Sequence, residues 1–446
     1  MPAPHRSTNP TADAVVIGAG VVGASIALEL QRSGRRVVVV DKGEAVGGGS
    51  TSASASIVRF TYSTIEGVAV SFEAMHRWLD WAGHLGLPRR STGSGEGPLA
   101  TFHQIGMLNL EPPGTDRSAM FAHFDRIGVA YEILDGPALE ARFPAIDGRL
   151  FGPPRLPTDP AFFAEPTGRV EAFHCPQAGF IDDPQLAAVN LMDAARAAGT
   201  EVRLRSPVRT VLRSADRVTG VELAGGDLLS APVVVNAAGP WSPAVNRLAG
   251  VTGDMRIGTR ALRQDVASTG APPGFGVGDG GAVVADLDLG TYNRPQPGGS
   301  YLAGGVEAEC DPLVWVDDPD TDRPTPDPAM WEAIILRLAR RIPTMAVPHR
   351  PTGLASHYDV SDDWIPIYDR SSLDGFYLAV GTSGNQFKNA PLIGEMMTAI
   401  IDAVEGGRDH DADPVTYHCP TAGVEVDLAH YSRRRDPAKT SGTVMG

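Results

Sequence analysis

One stretch near the start of the chain narrows its fold more than any other. Ala14-Val15-Val16-Ile17 is an apolar run suited to a strand buried on both faces. Gly18-Ala19-Gly20-Val21-Val22-Gly23 follows at once in GxGxxG spacing. Apolar positions Ala24, Ala27, Leu28 and Leu30 then predict a helix that Gly34 stops. A second strand, Val37 to Val40, ends on Asp41, with Lys42 beside it. Each part has a task in a dinucleotide site. Gly18 permits the tight turn, Gly20 lets a pyrophosphate approach the backbone, and Gly23 lets helix pack on strand. Free N–H groups of the helix start meet phosphate charge. Asp41 is placed to accept hydrogen bonds from ribose hydroxyls. A lone GxGxxG carries little weight, whereas strand, turn, helix, strand and acid in this order predict a dinucleotide-binding unit. The block does not separate FAD from NAD.

A chain of 446 residues exceeds one hydrophobic core, so two domains are expected. No apolar run approaches the roughly 20 residues of a membrane span. The opening MPAPHRSTNP has no apolar signal region, which gives the expectation of a cytoplasmic protein. Cys175, Cys310 and Cys419 cannot form a disulfide framework and lack metal-ligand spacing, so no metal is expected. A net charge of −15 argues against nucleic acid or an anionic membrane as partner. Only three of the 38 basic residues are lysine: Lys42, Lys388 and Lys439.

The segment after the acid distinguishes the cofactor. Gly47-Gly48-Gly49-Ser50-Thr51-Ser52-Ala53-Ser54-Ala55-Ser56 is a loop of small and hydroxyl residues, suited to a long cofactor lying against backbone. With Arg59 three residues later, it resembles the FAD-dependent D-amino-acid oxidase-like family, specifically the sarcosine and glycine oxidase branch. Further blocks carry the resemblance in order. Gly179-Phe180-Ile181-Asp182-Asp183-Pro184 precedes a predicted helix from Gln185 to Ala198, a strand Glu201 to Leu204, and Pro207-Val208. Val233 to Trp241 is a strand ending in small residues. Gly375 to Val380 is another, followed by Gly381-Thr382-Ser383-Gly384-Asn385-Gln386-Phe387-Lys388 and a helix that begins near Pro391. The resemblance spans about Ala14 to about Arg408.

The resemblance implies an α/β FAD-binding Rossmann-type domain (glutathione-reductase-like) and an α+β substrate domain built on an antiparallel sheet. The expected boundaries are 1–71, 174–250 and 352–446 for the first, 72–173 and 251–351 for the second. It implies FAD contacts at Gly18, Gly20, Val21, Val22, Gly23, Asp41, Lys42, Gly49, Ser50, Thr51, Ser54, Ala55 and Ser56. Further contacts are implied at Val208, Ala238, Gly239, Trp241, Gly381, Gly384, Asn385, Gln386, Phe387 and Lys388. The last helix would direct its positive end at the flavin.

Arg59, Lys388 and Tyr358 are the implied substrate-side residues. The two cations would hold a carboxylate, Arg59 bidentately and Lys388 as a point charge. Tyr358 reads equally as a core aromatic. No cysteine stands in Gly353–Tyr358 and Ala53 occupies the loop position, so non-covalent FAD is expected, with His357 as the exception to watch. The implied activity is oxidation of the C–N bond of an amino acid or N-alkyl amino acid. A hydroxy acid or polyol dehydrogenase and a non-catalytic flavoprotein subunit are the alternatives. The electron acceptor is O2 or a redox partner. The stretch Pro297–Leu302, where relatives carry a lysine above the flavin, has none, and this predicts slow reaction with oxygen; Arg260, Arg263 or Arg294 could take that place. Ser91 to Pro98 reads as a surface turn. The tail beyond Asp409 shows no chemistry, and Arg433-Arg434-Arg435 reads as a solvated charge run.

Overall fold

The computed structural model describes residues 11–87 and 98–445, so the expected turn at 91–98 lies outside the described residues save for Pro98. The short apolar runs form the middle of a six-stranded sheet. Its order is Ile367–Arg370, Phe376–Val380, Val233–Asn236, Ala14–Ile17, Val37–Val40 and Glu201–Arg203. Neighbours are parallel except for the hairpin of the first two. Both faces are covered, which is why these strands read as continuous valine and isoleucine. On one face the helix Val21–Arg32 packs against Pro184–Ala197 and Ala390–Glu405. On the other, an antiparallel sheet of Val208–Ser214, Arg217–Leu223 and Leu228–Ser230, with the helix Ser242–Ala249, buries Val211, Val221 and Val245 against Val15, Val38 and Val234. The helix after Asp183 begins at Pro184, one residue before the expected start. The Asp183 carboxylate caps it by accepting from the Leu186 N–H at 2.8 Å, and proline suits the first turn.

Both insertions into this unit contribute to one nine-stranded sheet. Met107–Glu111 from the first lies beside Val283–Asp286 from the second. That pair is parallel; the remaining ladders are antiparallel, as the sequence leads one to expect. The helix Pro328–Arg341 sets Trp331, Ile334, Ile335 and Leu338 on this sheet. Its last turn buries Arg341 completely between Asp286 and Asp288. The strand Gly353–Ser361 starts just past the expected boundary at 352, yet it pairs with Thr259–Gly270 in the large sheet. Its end reaches the cofactor unit, where Val360 bridges Thr382.

The tail departs from its expected description. Arg433 is wholly buried and bonded to Asp254, Asp369 and Asp411. Arg435 grips Asp363 with two nitrogens, and Arg434 is half-exposed beside Asp254 and Asp411. The four partners come from three separate regions of the chain, so spacing along the sequence carries no sign of them. Among the described residues no helix is long and apolar enough to cross a membrane, and no cluster of side chains could hold a metal ion.

Candidate active site

A cavity of about 770 Å³ runs from the ends of the parallel strands to the edge of the large sheet. The glycine turn opens it. Gly18 has φ +114°, and a Cβ there would lie 2.3 Å from the Ala237 carbonyl oxygen. A Cβ on Gly23 would lie 2.0 Å from the Gly18 carbonyl oxygen. Gly18 and Gly23 therefore let strand, turn and helix close on one another. Gly20 instead faces only the Thr51 hydroxyl, at 3.2 Å from its notional Cβ, and leaves the backbone open. The Thr51 hydroxyl accepts from the Val21 N–H at 3.1 Å, tying the small-residue loop to the helix start.

Asp41 lies in the wall of the same end. Its carboxylate accepts from the N–H groups of Ala19 and Gly43, both at 2.6 Å, and retains lone pairs for further donors. Lys42 lies over the Trp241 ring and is paired with Asp320, which also accepts from the Trp241 indole at 3.0 Å. Asp320 lies in the short turn Pro319–Thr321 of the second insertion. Sequence spacing gave no sign that it would reach over this end. Of the residues expected to contact cofactor, Gly23 and Gly381 are set behind the wall; all the others line the cavity.

At the opposite end the structure brings together residues more than 300 positions apart. Arg59 and Lys388 lie against one ring, that of Tyr62, each 4.9 Å from its centroid. The Tyr62 hydroxyl donates to the Asn385 carbonyl at 2.9 Å. The Lys388 ammonium donates to the same carbonyl, while the Trp78 indole fixes the Lys388 backbone carbonyl at 2.7 Å. Lys388 is 2% exposed, and burial, with the Arg59 charge, pushes its pKa well down. Arg59 is 5% exposed, and burial lowers its pKa too. Neither has a carboxylate within salt-bridge distance among the described residues. Arg59 instead donates to Thr61 and to the carbonyls of Val444 and Met445.

Tyr358 packs its ring over Gly384, where a Cβ would lie 2.5 Å away. Burial raises the Tyr358 pKa, so it is a neutral phenol. His357 is engaged by Asp322 at 2.9 Å, and its carbonyl accepts from the Ser50 hydroxyl at 2.7 Å. Of the stretch 297–302, nothing lines the cavity; Gln264, Val266 and Tyr292 do so from the neighbouring strands. Arg263 is bound by Asp265 and Asp322, and Arg260 stacks on Trp315. Arg294 braces the small-residue loop through the Ala55 carbonyl at 2.6 Å and lies on Phe180.

Sequence reasoning missed Tyr62, Gln264, Glu307, Asp320, Asp359 and the tail residues Val444 and Met445. Tyr62 alone left a trace, three residues after Arg59. Asp359 accepts from the Gly381 N–H at 2.6 Å and the Ser242 hydroxyl at 3.0 Å, and burial pushes its pKa up to about 7.

The chain matches the FAD dependent oxidoreductase family (DAO) over residues 13–400 and belongs to it. It is 29% identical over 209 residues to human mitochondrial sarcosine dehydrogenase, covering 45% of this chain and 22% of that protein. It therefore spans about a fifth of the length of that relative. Among solved structures, L-proline dehydrogenase from P. horikoshii superposes with a TM-score of 0.73 at 20% identity, covering 96% of this chain and 98% of that one. L-amino acid deaminase from Proteus vulgaris does so with 0.70 at 17% identity, covering 98% and 100%. Glycine oxidase from Geobacillus kaustophilus gives 0.69 at 19%, covering 92% and 100%. These likenesses are likenesses of fold. The cavity fits the family's FAD on its own chemistry. It joins an open glycine turn to a carboxylate at one end. Further along, two buried polar atoms of its lining residues, Asp359 Oδ1 and Asn385 Nδ2, have no hydrogen-bond partner among the described residues.

Proposed function

We propose that this protein oxidises the C–N bond of an amino acid or N-alkyl amino acid with FAD, giving an imine that hydrolyses, in the manner of the sarcosine and glycine oxidase branch. The observation that carries the reading is the pair of buried cations, Arg59 and Lys388, at one end of the cavity. Burying two cations without a carboxylate is costly, and a substrate carboxylate supplies the missing charge. Two planar N–H donors of Arg59 orient that group, and the Lys388 ammonium adds a point charge. The relatives in this fold are named for acting on amino acids, which agrees with the reading.

At the other end Gly18, Gly20, Val21, Val22, Asp41, Lys42, Gly49, Ser50 and Thr51 would hold the adenosine and pyrophosphate, with Val208, Ala238, Gly239 and Trp241 along the adenine side. Ser54, Ala55, Ser56, Gly384, Asn385, Gln386 and Phe387 would flank the flavin. When bound, FAD supplies the acceptor for the hydride from the substrate α-carbon. The chain's part is to fix that carbon by its carboxylate, to exclude water, and to lay the start of the helix Ala390–Glu405 towards developing negative charge. The FAD would be held without a covalent link, since Ala53 stands in the loop, Gly353–Tyr358 carries no cysteine, and His357 Nε2 is engaged by Asp322. Acid precipitation then releases the flavin into the supernatant; flavin retained in the pellet would point to a linkage.

The deciding experiment is anaerobic reduction of the yellow protein against a panel of amino acids, N-methyl amino acids, simple alkylamines and hydroxy acids. Bleaching by carboxylated amines alone is expected. Equal bleaching by hydroxy acids, or by alkylamines without a carboxylate, overturns the reading. The electron acceptor follows from the same cavity. Among the described residues its lining cations are Lys42, Arg59 and Lys388, and the first lies at the Asp41 end. No further lysine stands ready to stabilise superoxide. Reduced protein mixed with aerated buffer should therefore reoxidise slowly, and rapid reoxidation with stoichiometric peroxide would overturn that expectation.

A further inference from the structure

The residues that hold Arg59 also hold a second charged group. Val444 donates its N–H to Glu307 Oε2 at 2.7 Å, and its carbonyl accepts from Arg59; Met445 adds its own carbonyl to Arg59 at 2.9 Å. One residue thus presents a nitrogen to a carboxyl group and a carbonyl oxygen to a guanidinium. An α-amino acid presents its amine and carboxylate in the same order. The Val444 side chain is buried among Leu262, Tyr292, Val306, Val360 and Trp364. We propose that Arg59 and Glu307 together are a receptor for an α-amino acid with an apolar side chain, and that Val444 occupies it as a tethered stand-in which substrate displaces. This rests on the reading of Arg59 as a carboxylate anchor.

Glu307 is built for more than packing. It sits at φ +53° just beyond the strand Ser300–Gly305, a conformation uncommon for a residue with a long side chain. Gln264, which lines the cavity, holds its other oxygen at 3.0 Å. Arg59 and Asp311 are the charged groups that act on it, and the phenols of Tyr292 and Tyr358 feel its charge. Burial raises the Glu307 pKa to about 8, so an incoming ammonium meets a carboxyl group that ionises near neutrality.

The tether is fastened one step earlier. Asp363 holds Arg435, the Ala438 N–H and the Thr440 hydroxyl. From Ser441 to Met445 the hydrogen bonds among the described residues are short-range turns and the contacts to Glu307 and Arg59. A stand-in on so short a leash competes by high effective concentration, yet can leave without loosening the stem.

Two variants test this: deletion of residues 441–446, and Val444→Pro in the full chain, which lacks the N–H given to Glu307. In both, KM for the best amine of the panel should fall about tenfold with kcat unchanged, since the receptor is no longer blocked. Should the deletion fail to fold, the proline variant carries the test. A blocked peptide of residues 441–445 should bind the truncated holoprotein by calorimetry. It should lose that binding when its valine is glycine or when the protein carries Glu307→Leu, which has no acceptor. Unchanged KM in both variants overturns the proposal, as does a peptide that fails to bind or ignores Glu307→Leu. Peptide binding in a protein that no amine bleaches upholds the receptor and sinks the oxidation reading; bleaching without any tail effect does the reverse.

Discussion

Two kinds of buried basic cluster in this molecule look alike by exposure and differ in their partners. Arg341 and Arg433 each sit among carboxylates: Asp286 and Asp288 for the first, Asp369, Asp411 and Asp254 for the second. Arg59 and Lys388 are as deeply buried, but their hydrogen bonds end on a hydroxyl and backbone carbonyls and their shared neighbour is a phenol ring. The first kind of cluster is complete in itself and joins distant elements. The second keeps an excess of positive charge beside a cavity. A folded chain tolerates such an excess when something outside the chain is meant to answer it.

The contrast breaks most readily in stability. Arg341→Met leaves Asp286 and Asp288 buried without their cation, and unfolding should become easier by about 3–5 kcal/mol. Denaturant titration measures this; a loss below about 1 kcal/mol would mean the cluster is not the brace it resembles. Lys388→Met is the counterpart. It should leave the unfolding midpoint unchanged or raised, while weakening carboxylated amines by roughly 1.5–3 kcal/mol in flavin titrations. Lost stability without lost binding would place Lys388 with the structural cluster.

The pH dependence sharpens the same point. The folded pKa of Lys388 lies below its unfolded value of 10.5, so between the two the unfolded chain holds more protons and stability rises with pH. Below the folded pKa both states are charged and the full burial penalty remains. The slope contributed is at most about 1.4 kcal/mol per pH unit. It should vanish in Lys388→Met, and urea midpoints of the two proteins between neutral pH and pH 10 will tell. The smallest effect is expected from Arg59→Lys, which keeps the charge and loses the planar fork. About 0.5–1.5 kcal/mol of carboxylate binding should go, read as a rise in KM; an unchanged KM would show that charge alone matters there.

The dinucleotide end of the cavity was legible in the sequence because its parts are local. Gly18, Gly20, Gly23 and the valine strands declare a backbone geometry that holds wherever the unit is placed, and the resemblance extended that to the family and the two-domain fold. Arg59 and Lys388 were singled out by the same resemblance, but their meeting on Tyr62 required the first segment and the turn after Phe376–Val380 to converge. The tail was misjudged for the same reason. Nothing in Arg433-Arg434-Arg435 reveals four aspartates from three other regions, and nothing in Val444-Met445 reveals Arg59. Local patterns settle which backbone conformations a chain can adopt, since propensity and steric fit act between neighbours. Which charges are answered, and which are left for a ligand, depends on groups hundreds of residues apart, and only the tertiary structure brings those within reach of one another.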